Sequence, residues 1–582
     1  MNNKKYKDSY YKKRDLRDLR DMVKSSGELF SSKPAFLVKD SHSEPYRPIS
    51  YAQFNVDIDA LGTGFIKMGL KGKKIAIIGE NSYKWVVTYL AATNGTGVVA
   101  PIDRELKPKE IANLLNRAEV SALVHSKKMT KVLDEVLPML NDHVEAIIDM
   151  DADDDTDSRL SWDRIVEDGR QAVSEGDRSF LDADIDPDAM CSLLFTSGTT
   201  GLAKGVMLSH RNLTANVYNM SKYVDVTDYI GLSVLPMHHS YEMTCHIFTG
   251  LYQGIGIAIC EGLKYIQKNM AEVHASVMLG VPLIFENIHK KIMKNAQNTG
   301  QYGKLRKMIE ISKKLKLYNN QKLIRKIFKQ VHEMTGNGIQ QFIAGGAAID
   351  PRVIEDFEAM GFPMIQGYGM TENAPIIAVN RDRCSKADSV GFVMPGTQVR
   401  IVDPDEGGMG EIYCKGPSVM IGYYDNDEET DKVLQDGWLN TGDYGHIDEE
   451  GYVYVSGRKK NVIVTKNGKN IFPEEVEFYL SQSDFIEEVL VHGVEDERTG
   501  DTVVKAEVFP DFHSIEMTVG KLDDEELRSF LKEEIDKINE LMPLYKHVKR
   551  FDIRKEEFSK TTTRKIKRYT PVNMDEGEGT EC

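Results

Sequence analysis

Between Cys191 and Leu213 the chain reads CSLLFTSGTTGLAKGVMLSHRNL, an apolar run that ends abruptly in hydroxyls, glycines and a lysine. Cys191 to Phe195 has the composition of a buried strand, and the following Thr196, Ser197, Gly198, Thr199, Thr200 and Gly201 cannot extend it. A loop must begin there. Glycines let backbone N–H groups approach an anion closely, hydroxyls add donors, and Lys204 adds a compact positive charge, so the stretch suits a polyphosphate. It is not a Walker A loop, which ends in Gly-Lys-Ser/Thr, because Lys204 stands between Ala203 and Gly205. A flexible polar surface turn is the plain alternative for a stretch of this composition.

The elements that must carry this loop are legible on both sides of it. From Tyr51 onward apolar strands alternate with helices: KKIAIIG, a helix around Trp85 to Ala92, then TGVVAPID, SALVHS and VEAIIDM. After the loop come GLSVLPM, GIGIAIC, ASVMLGVP, IQQFIAGG and FPMIQGYG. This alternation predicts an α/β fold with mostly parallel strands. Beyond about residue 385, GTQVRIVD, GEIYCKG and GYVYVSG predict a small β subdomain. From about Asn461 a compact α+β unit is expected, with EEVLVHGVED, TVVKAEVFP and the helix DEELRSFLKEEIDKINEL. Residues 1–34 read as a frayed arm leading into a surface helix, and 571–582 as a disordered tail. The acidic run at 149–163 reads as a solvated excursion.

At 582 residues the chain is too long for one ordinary core. With 41% hydrophobic and 28% charged residues and no apolar run long enough to span a bilayer, it has the composition of a soluble globular protein. The N-terminus carries positive charges but no apolar stretch of a secretion signal, so a cytoplasmic location is expected. The six cysteines are scattered, without a CxxC pair, which argues against a disulfide framework or a zinc site. A formal net charge of −16 disfavours general nucleic-acid binding. Against that acidic background, thirteen lysines and arginines lie between Lys290 and Lys329, with Glu310 as the one acidic residue among them. Leu323, Ile324, Ile327, Phe328 and Val331 fall at helical spacing there. Such a segment can pack as solvated helices on the domain, the commoner use of the pattern, or touch an anionic membrane surface peripherally.

TSGTTGLAKGV with LSHRNL closely resembles the signature of the adenylate-forming superfamily, which includes acyl-CoA synthetases and the adenylation domains of peptide synthetases. The resemblance implies that Thr196 to Lys204 hold the pyrophosphate end of ATP. QGYGMTE, Gln366 to Glu372, resembles the family's second signature, which assigns Gln366, Gly367, Tyr368 and Gly369 to the nucleotide, Tyr368 packing on adenine. It assigns Thr371 to phosphate and Glu372 to Mg²⁺, for which a hard carboxylate oxygen is apt. AGGAAID places Gly345, Gly346 and Ala347 in a turn lining the adenine and acyl pocket; a plain strand-to-helix turn is the alternative. DGWLNTGDYG implies a ribose contact through Asp443, whose carboxylate can accept two hydrogen bonds from a diol. GRKKNVIVTKNGKN implies Arg458 at the ribose, Lys460 as hinge and Gly468 in the thiol tunnel. LPMHHSYEMT, with its His-x-x-Glu form, resembles the long-chain acyl-CoA synthetases and places His239 near the carboxylate; a buried structural histidine is the alternative. SKTTTRKIKR resembles the C-terminal motif whose lysine, here Lys565, bridges carboxylate and phosphate during adenylation. Ser559 and Arg564 depart from the proline and glycine usual there.

The resemblance spans roughly residues 35–570 and implies a large domain at 35–457, a hinge at 458–460 and a C-terminal domain at 461–570. It implies an enzyme that uses ATP, Mg²⁺ and coenzyme A to activate a fatty acid, of long chain by its branch, through an acyl-adenylate. A carboxylate does not acylate a thiol directly, because its leaving group would be oxide; attack on the α-phosphate of ATP supplies a better one. One rival is a ligase that delivers the acyl group to the phosphopantetheine of an acyl carrier protein. Another, from a different class, is a non-catalytic nucleotide and lipid sensor.

Overall fold

The computed structural model describes residues 9–196, 203–464, 470–496, 502–561 and 566–568. It divides into two compact units. The first comprises the chain up to Val399 with Cys414–Leu439 and Glu450–Tyr452; the second comprises Arg400–Tyr413, Asn440–Glu449 and the chain from Val453 onward. Two segments of the expected β subdomain, Arg400–Tyr413 and Asn440–Glu449, group with the C-terminal residues.

The first unit begins with helix α1, Leu19–Leu29. The helix lies within DLRDMVKSSGELF, where the helical pattern placed one. Leu19, Met22, Val23 and Ser26 of α1 are buried, and Asp18 caps the helix by accepting from the Asp21 N–H. Arg14 donates to the Tyr252 carbonyl and to Ser26 Oγ, both at 2.6 Å, and Arg20 donates to the carbonyls of Asn94 and Ala183 at 2.7 Å. These charges satisfy main-chain carbonyls and a side-chain hydroxyl.

A first sheet contains β1 (Lys74–Ile78), β2 (Val98–Ile102), β3 (Ala122–His125), β4 (Ala146–Asp149) and β5 (Leu160–Ser161), all parallel. Ile75 to Ile78 and Ala122 to Val124 are fully buried, as the continuous apolar runs of a sheet covered on both faces require. β6 (Met190–Thr196) joins β2 in parallel, and β7 (Lys204–Ser209) returns antiparallel to β6. Helix α2, His210–Tyr223, follows at once. Ser209 Oγ accepts from the Asn212 N–H, and the Asn212 side chain accepts from the Ser209 N–H, a reciprocal cap.

In a second sheet, β8 (Ile230–Ser233), β9 (Gly256–Ile259), β10 (Val277–Gly280), β11 (Gln341–Ala344) and β12 (Met364–Gly369) run parallel in the order β12-β11-β10-β8-β9. The N-terminal strand Pro34–Val38 adds to β9. Between β10 and β11 the basic segment forms α3 (Pro282–Asn298), α4 (Tyr302–Leu315), α5 (Gln321–Ile327) and α6 (Lys329–Met334). Their Ile292, Leu305, Ile309, Ile324, Phe328 and Val331 join the core with Phe342 of β11 and Phe357 of α7, Pro351–Ala359. Leu323, expected on the packed face, is 41% exposed. The chain later returns to the first sheet as β13 (Gly422–Tyr423), antiparallel to β7, followed by α8 (Asp427–Val433).

In the second unit, β14 (Ile486–Glu495) pairs antiparallel with β15 (Thr502–Pro510), which pairs parallel with β16 (Val548–Ile553). Helix α9, Asp524–Asn539, covers this sheet through Leu527, Leu531, Ile535 and Ile538.

Candidate active site

The β6–β7 pairing sets Thr196 opposite Lys204. Ser197, Gly198, Thr199, Thr200 and Gly201, predicted to grip phosphate, lie outside the described residues, as do Gly468 and Lys565. The Lys204 ammonium is 2.5 Å from Oε2 of Glu429 on α8 and 4.8 Å from the centre of the Tyr423 ring on β13. Lys432 contacts the other oxygen of Glu429 at 2.8 Å. The hydrogen bonds from Lys204 and Lys432 hold the Glu429 carboxyl down at about 2.

Tyr423 also reaches Glu372, donating from its hydroxyl to Oε1 at 2.9 Å, while the Glu372 carbonyl accepts from the Met420 N–H at 2.8 Å. Thr371, just past β12, has its Oγ1 3.3 Å from Oγ of Ser240, which is buried. Ser240 opens a π-helical turn, Tyr241–Phe248. His239 Nδ1 accepts from the Tyr241 N–H at 3.2 Å. The Tyr241 hydroxyl donates to the Ile343 carbonyl at 3.1 Å, and its ring fills the space in front of Gly345, where a Cβ would come within 2.8 Å of it. Gly346 has φ +84°, a conformation glycine adopts without strain, and Ala347 beside it is exposed. A connected group thus runs from Lys204 through Tyr423 to Glu372 and Thr371, and from Thr371 through Ser240 to His239, Tyr241 and Gly345.

Helix α2 explains why LSHRNL accompanies the loop. Asn212 donates to the carbonyls of Pro417 and Val419 at 2.8 Å each, fixing the segment that leads to Tyr423. Asn216 donates to the Asn373 carbonyl at 3.2 Å and the Ile376 carbonyl at 3.0 Å, fixing the segment that follows Glu372. His210 is committed to structure: Nδ1 accepts from the Leu19 N–H at 3.2 Å and Nε2 donates to the Thr93 carbonyl at 3.1 Å. Burial lowers its pKa to about 4.

Within QGYGMTE the residues divide in role. Gln366 is buried and donates to the Ala387 carbonyl at 2.7 Å, a structural bond. Gly369 must lack a side chain, since a Cβ would lie 2.1 Å from the Pro375 carbonyl. Tyr368 and the flanking Gly367 are half-buried on β12. Glu242, the glutamate of the His-x-x-Glu form, is fully buried and paired with His246 at 2.8 Å.

The second unit holds the remaining described candidates. Asp443 stands directly opposite Arg458 in antiparallel pairing, and Arg458 Nε meets Asp443 Oδ1 at 2.9 Å. Arg458 also donates to the Thr441 carbonyl at 2.9 Å, and Thr441 Oγ1 accepts from the Asp443 N–H at 3.2 Å while donating to the Ile412 carbonyl at 2.7 Å. The Asp443 side chain is only 7% exposed, and the guanidinium makes its burial as an anion tolerable. Lys460 lies in a short helical turn, Lys459–Asn461, directly after Arg458.

Tyr423, Ser240, Glu429 and Thr441 went unnoticed in the sequence. Tyr423 and Glu429 act on residues far from them in the chain, so no local pattern marks them; Ser240 and Thr441 lay in view within LPMHHSYEMT and DGWLNTGDYG.

Comparison with known proteins bears on family and fold. The model of the AMP-binding enzyme family matches residues 25–424. The chloroplastic long-chain-fatty-acid–acyl-carrier-protein ligase of Arabidopsis thaliana is 27% identical over 594 residues, covering 89% of this chain and 79% of the relative. A long-chain-fatty-acid–CoA ligase of Salmonella typhimurium is 26% identical over 474 residues, covering 75% and 77% respectively. Among solved structures, an anthranilate CoA ligase in complex with anthranoyl-AMP superposes with a TM-score of 0.74 at 18% identity, covering 96% of both chains. ATP-bound MatB from Rhodopseudomonas palustris does so at 0.70 and 23% identity, covering 94% of this chain and 97% of that one, a likeness of fold. With the family model matching well over half of its length, the chain belongs to the AMP-binding enzymes, the adenylate-forming ligase family.

Proposed function

We propose that this protein is an ATP-dependent fatty acid–thiol ligase, acting on a long-chain acid and passing the acyl group to coenzyme A. The observation that carries the reading is the connected group of Lys204, Tyr423, Glu372, Thr371 and Ser240, in which one cation, one carboxylate and three hydroxyls are linked beside the start of β7 at Lys204. In the first step a carboxylate oxygen of the fatty acid bonds to the α-phosphorus of ATP, the bond to the β-phosphate bridge breaks, and pyrophosphate leaves. In the second a thiol sulfur bonds to the acyl carbon, AMP leaves, and the thiol proton is released.

The residues take roles suited to their chemistry. Thr196 and Lys204, with Ser197 to Gly201, hold the departing pyrophosphate, and Thr371 donates to a phosphate oxygen. Tyr368 packs on adenine beside the Gly345–Ala347 turn, while Asp443 accepts from the ribose diol with Arg458 orienting it. Glu372 suits Mg²⁺, which takes one or two protein carboxylates and otherwise phosphate and water oxygens. The described residues contain no group of three or more His, Cys, Asp or Glu side chains that would cage a metal alone, so a cation there draws on the nucleotide. His239 guides the fatty acid carboxylate. Lys565 bridges carboxylate and phosphate in adenylation, Lys460 is the hinge about which the C-terminal part turns, and Gly468 lines the thiol path afterwards.

The name of the Arabidopsis relative favours a second reading in which the acceptor is an acyl carrier protein. The attacking thiol is the same in both. The test is fatty-acid-dependent exchange of labelled pyrophosphate into ATP, followed by product analysis with coenzyme A and with a phosphopantetheinylated carrier protein. No exchange with acids of any chain length overturns the ligase reading and revives a nucleotide and lipid sensor. Acylation of the carrier alone replaces the acceptor. Lys565→Ala should abolish exchange yet spare thioester formation from supplied acyl-AMP, and a bulky residue at Gly468 should do the reverse.

A further inference from the structure

The fold sorts the basic segment into two kinds of cation. Asp356 of α7, 3% exposed, takes the first kind: its carboxylate meets His289 at 2.9 Å, Arg306 at 2.8 Å and Lys313 at 2.8 Å. Burial alone would raise its pKa, but His289 and Lys313 hold it down at about 2. Arg325 likewise donates to the carbonyls of Asn337 and Ile339. These groups staple the helices to the unit.

The second kind has no such duty. On α4, Lys304, Lys307, Ile311, Lys314 and Leu315 fall within roughly a third of the helix circumference at about 100° per residue. All five are exposed, with Ile311 at 44% and Leu315 at 63%. Leu305, Ile309 and Ser312 occupy the buried face. The strip continues past the turn at Lys316 onto α5, where Lys322 and Lys326 are exposed beside Leu323 at 41%. None of these six lysines has an ion-pair partner among the described residues. Single exposed leucines are ordinary on soluble proteins. Three aliphatic side chains set among six unpaired lysines, in a chain of net charge −16, are a defined surface.

We propose that the exposed faces of α4 and α5 dock on an anionic lipid bilayer. Ile311, Leu315 and Leu323 enter the boundary between headgroups and acyl chains, and the lysines, whose stems can lie along that boundary, meet the lipid phosphates. The remainder of this acidic protein is repelled by such a surface, so the patch also fixes which side faces it. A bilayer rather than an acidic protein is favoured because the exposed aliphatic side chains stand singly among the lysines along the same helix faces. The purpose of docking rests on the proposed fatty acid reading, since a long-chain acid partitions into bilayers.

The test is flotation of the full chain with phosphatidylcholine vesicles and with vesicles that also contain phosphatidylglycerol, at low and high salt. The wild type should float with the anionic vesicles alone and release as salt rises. Lys304→Glu with Lys307→Glu and Lys314→Glu should reduce partitioning on the order of 100-fold or more, at roughly fivefold per lysine near the surface. Ile311→Ser with Leu315→Ser should weaken binding about tenfold or more while keeping its salt dependence. Equal binding to neutral and anionic vesicles, no binding, an unaffected lysine variant, or capture of an acidic protein without vesicle binding each overturns the proposal. Pyrophosphate exchange with a water-soluble short-chain acid, measured without vesicles, should be unchanged in both variants. Exchange absent from the wild type with acids of every chain length indicts the ligase reading, whereas lost flotation with exchange intact indicts only the docking surface.

Discussion

The Tyr423 hydroxyl donates a hydrogen bond to Oε1 of Glu372 at 2.9 Å, while the same ring lies under the Lys204 ammonium. One side chain therefore indexes the loop lysine against the carboxylate suited to Mg²⁺. Tyr423 can do so because β13 pairs with β7, the strand that begins at Lys204.

Tyr423→Phe keeps the ring beneath Lys204 and removes the bond to Glu372. A hydrogen bond to a charged group contributes about 1.5–3 kcal/mol, so pyrophosphate exchange should fall about tenfold or more, with a raised Mg²⁺ requirement. Titration of exchange rate against Mg²⁺ reads this out; an unchanged curve would show that Glu372 needs no orientation from Tyr423.

Gly345→Ala places a Cβ 2.8 Å from the Tyr241 ring. The ring must shift; its hydroxyl bonds the Ile343 carbonyl, and the backbone N–H of the same residue bonds His239. KM for the fatty acid should rise several-fold with KM for ATP little changed. Steady-state kinetics with each substrate varied in turn separates the two.

Arg458→Ala leaves the Asp443 carboxylate without its guanidinium partner, in a position where the side chain is 7% exposed. The aspartate then becomes costly to keep as an anion, and its hold on a diol loosens. ATP affinity should drop about tenfold or more, with Arg458→Lys recovering part of it, because a lysine restores the charge but not the planar donor geometry. Calorimetric titration with ATP checks both variants.

Acid should detach α1. His210 Nδ1 accepts from the Leu19 N–H, so protonating the ring sets one N–H against another. Its folded pKa of about 4 lies below the ordinary histidine value near 6.5, so the unfolded state binds the extra proton first. This contribution is fully present above about pH 6.5 and is lost as pH falls toward 4, by a few kcal/mol at most. Thermal unfolding followed across that range should show the decline, and His210→Gln should flatten it at a lower plateau. A wild-type curve flat between pH 7 and pH 4 would refute the coupling.

The parallel strands were legible because continuous runs such as Lys74–Ile78 and Val277–Gly280 are apolar on both faces, which a sheet covered by helices demands. The loop signature was legible for a different reason. Glycines, hydroxyls and a lysine next to a buried strand satisfy a local requirement, and local requirements leave local traces. Asp443 and Arg458 were each visible as chemically apt residues, yet their pairing was not, since fourteen residues separate them and antiparallel register alone sets them opposite one another.

The sequence by itself determined the class of fold, the glycine- and hydroxyl-rich stretch that ends in Lys204, the order of the signatures and the presence of a basic segment, because these reside in composition, periodicity and spacing. Only the tertiary structure decided which side chains meet. It brought Tyr423 and Glu429 to Lys204, pinned the charged N-terminal stretch through Arg14 and Arg20, and spent Arg306 and Lys313 on a buried Asp356 while leaving Lys304, Lys307 and Lys314 in solvent. Charges separated by tens or hundreds of residues pair only after the core places them, and a linear pattern contains no term for that distance.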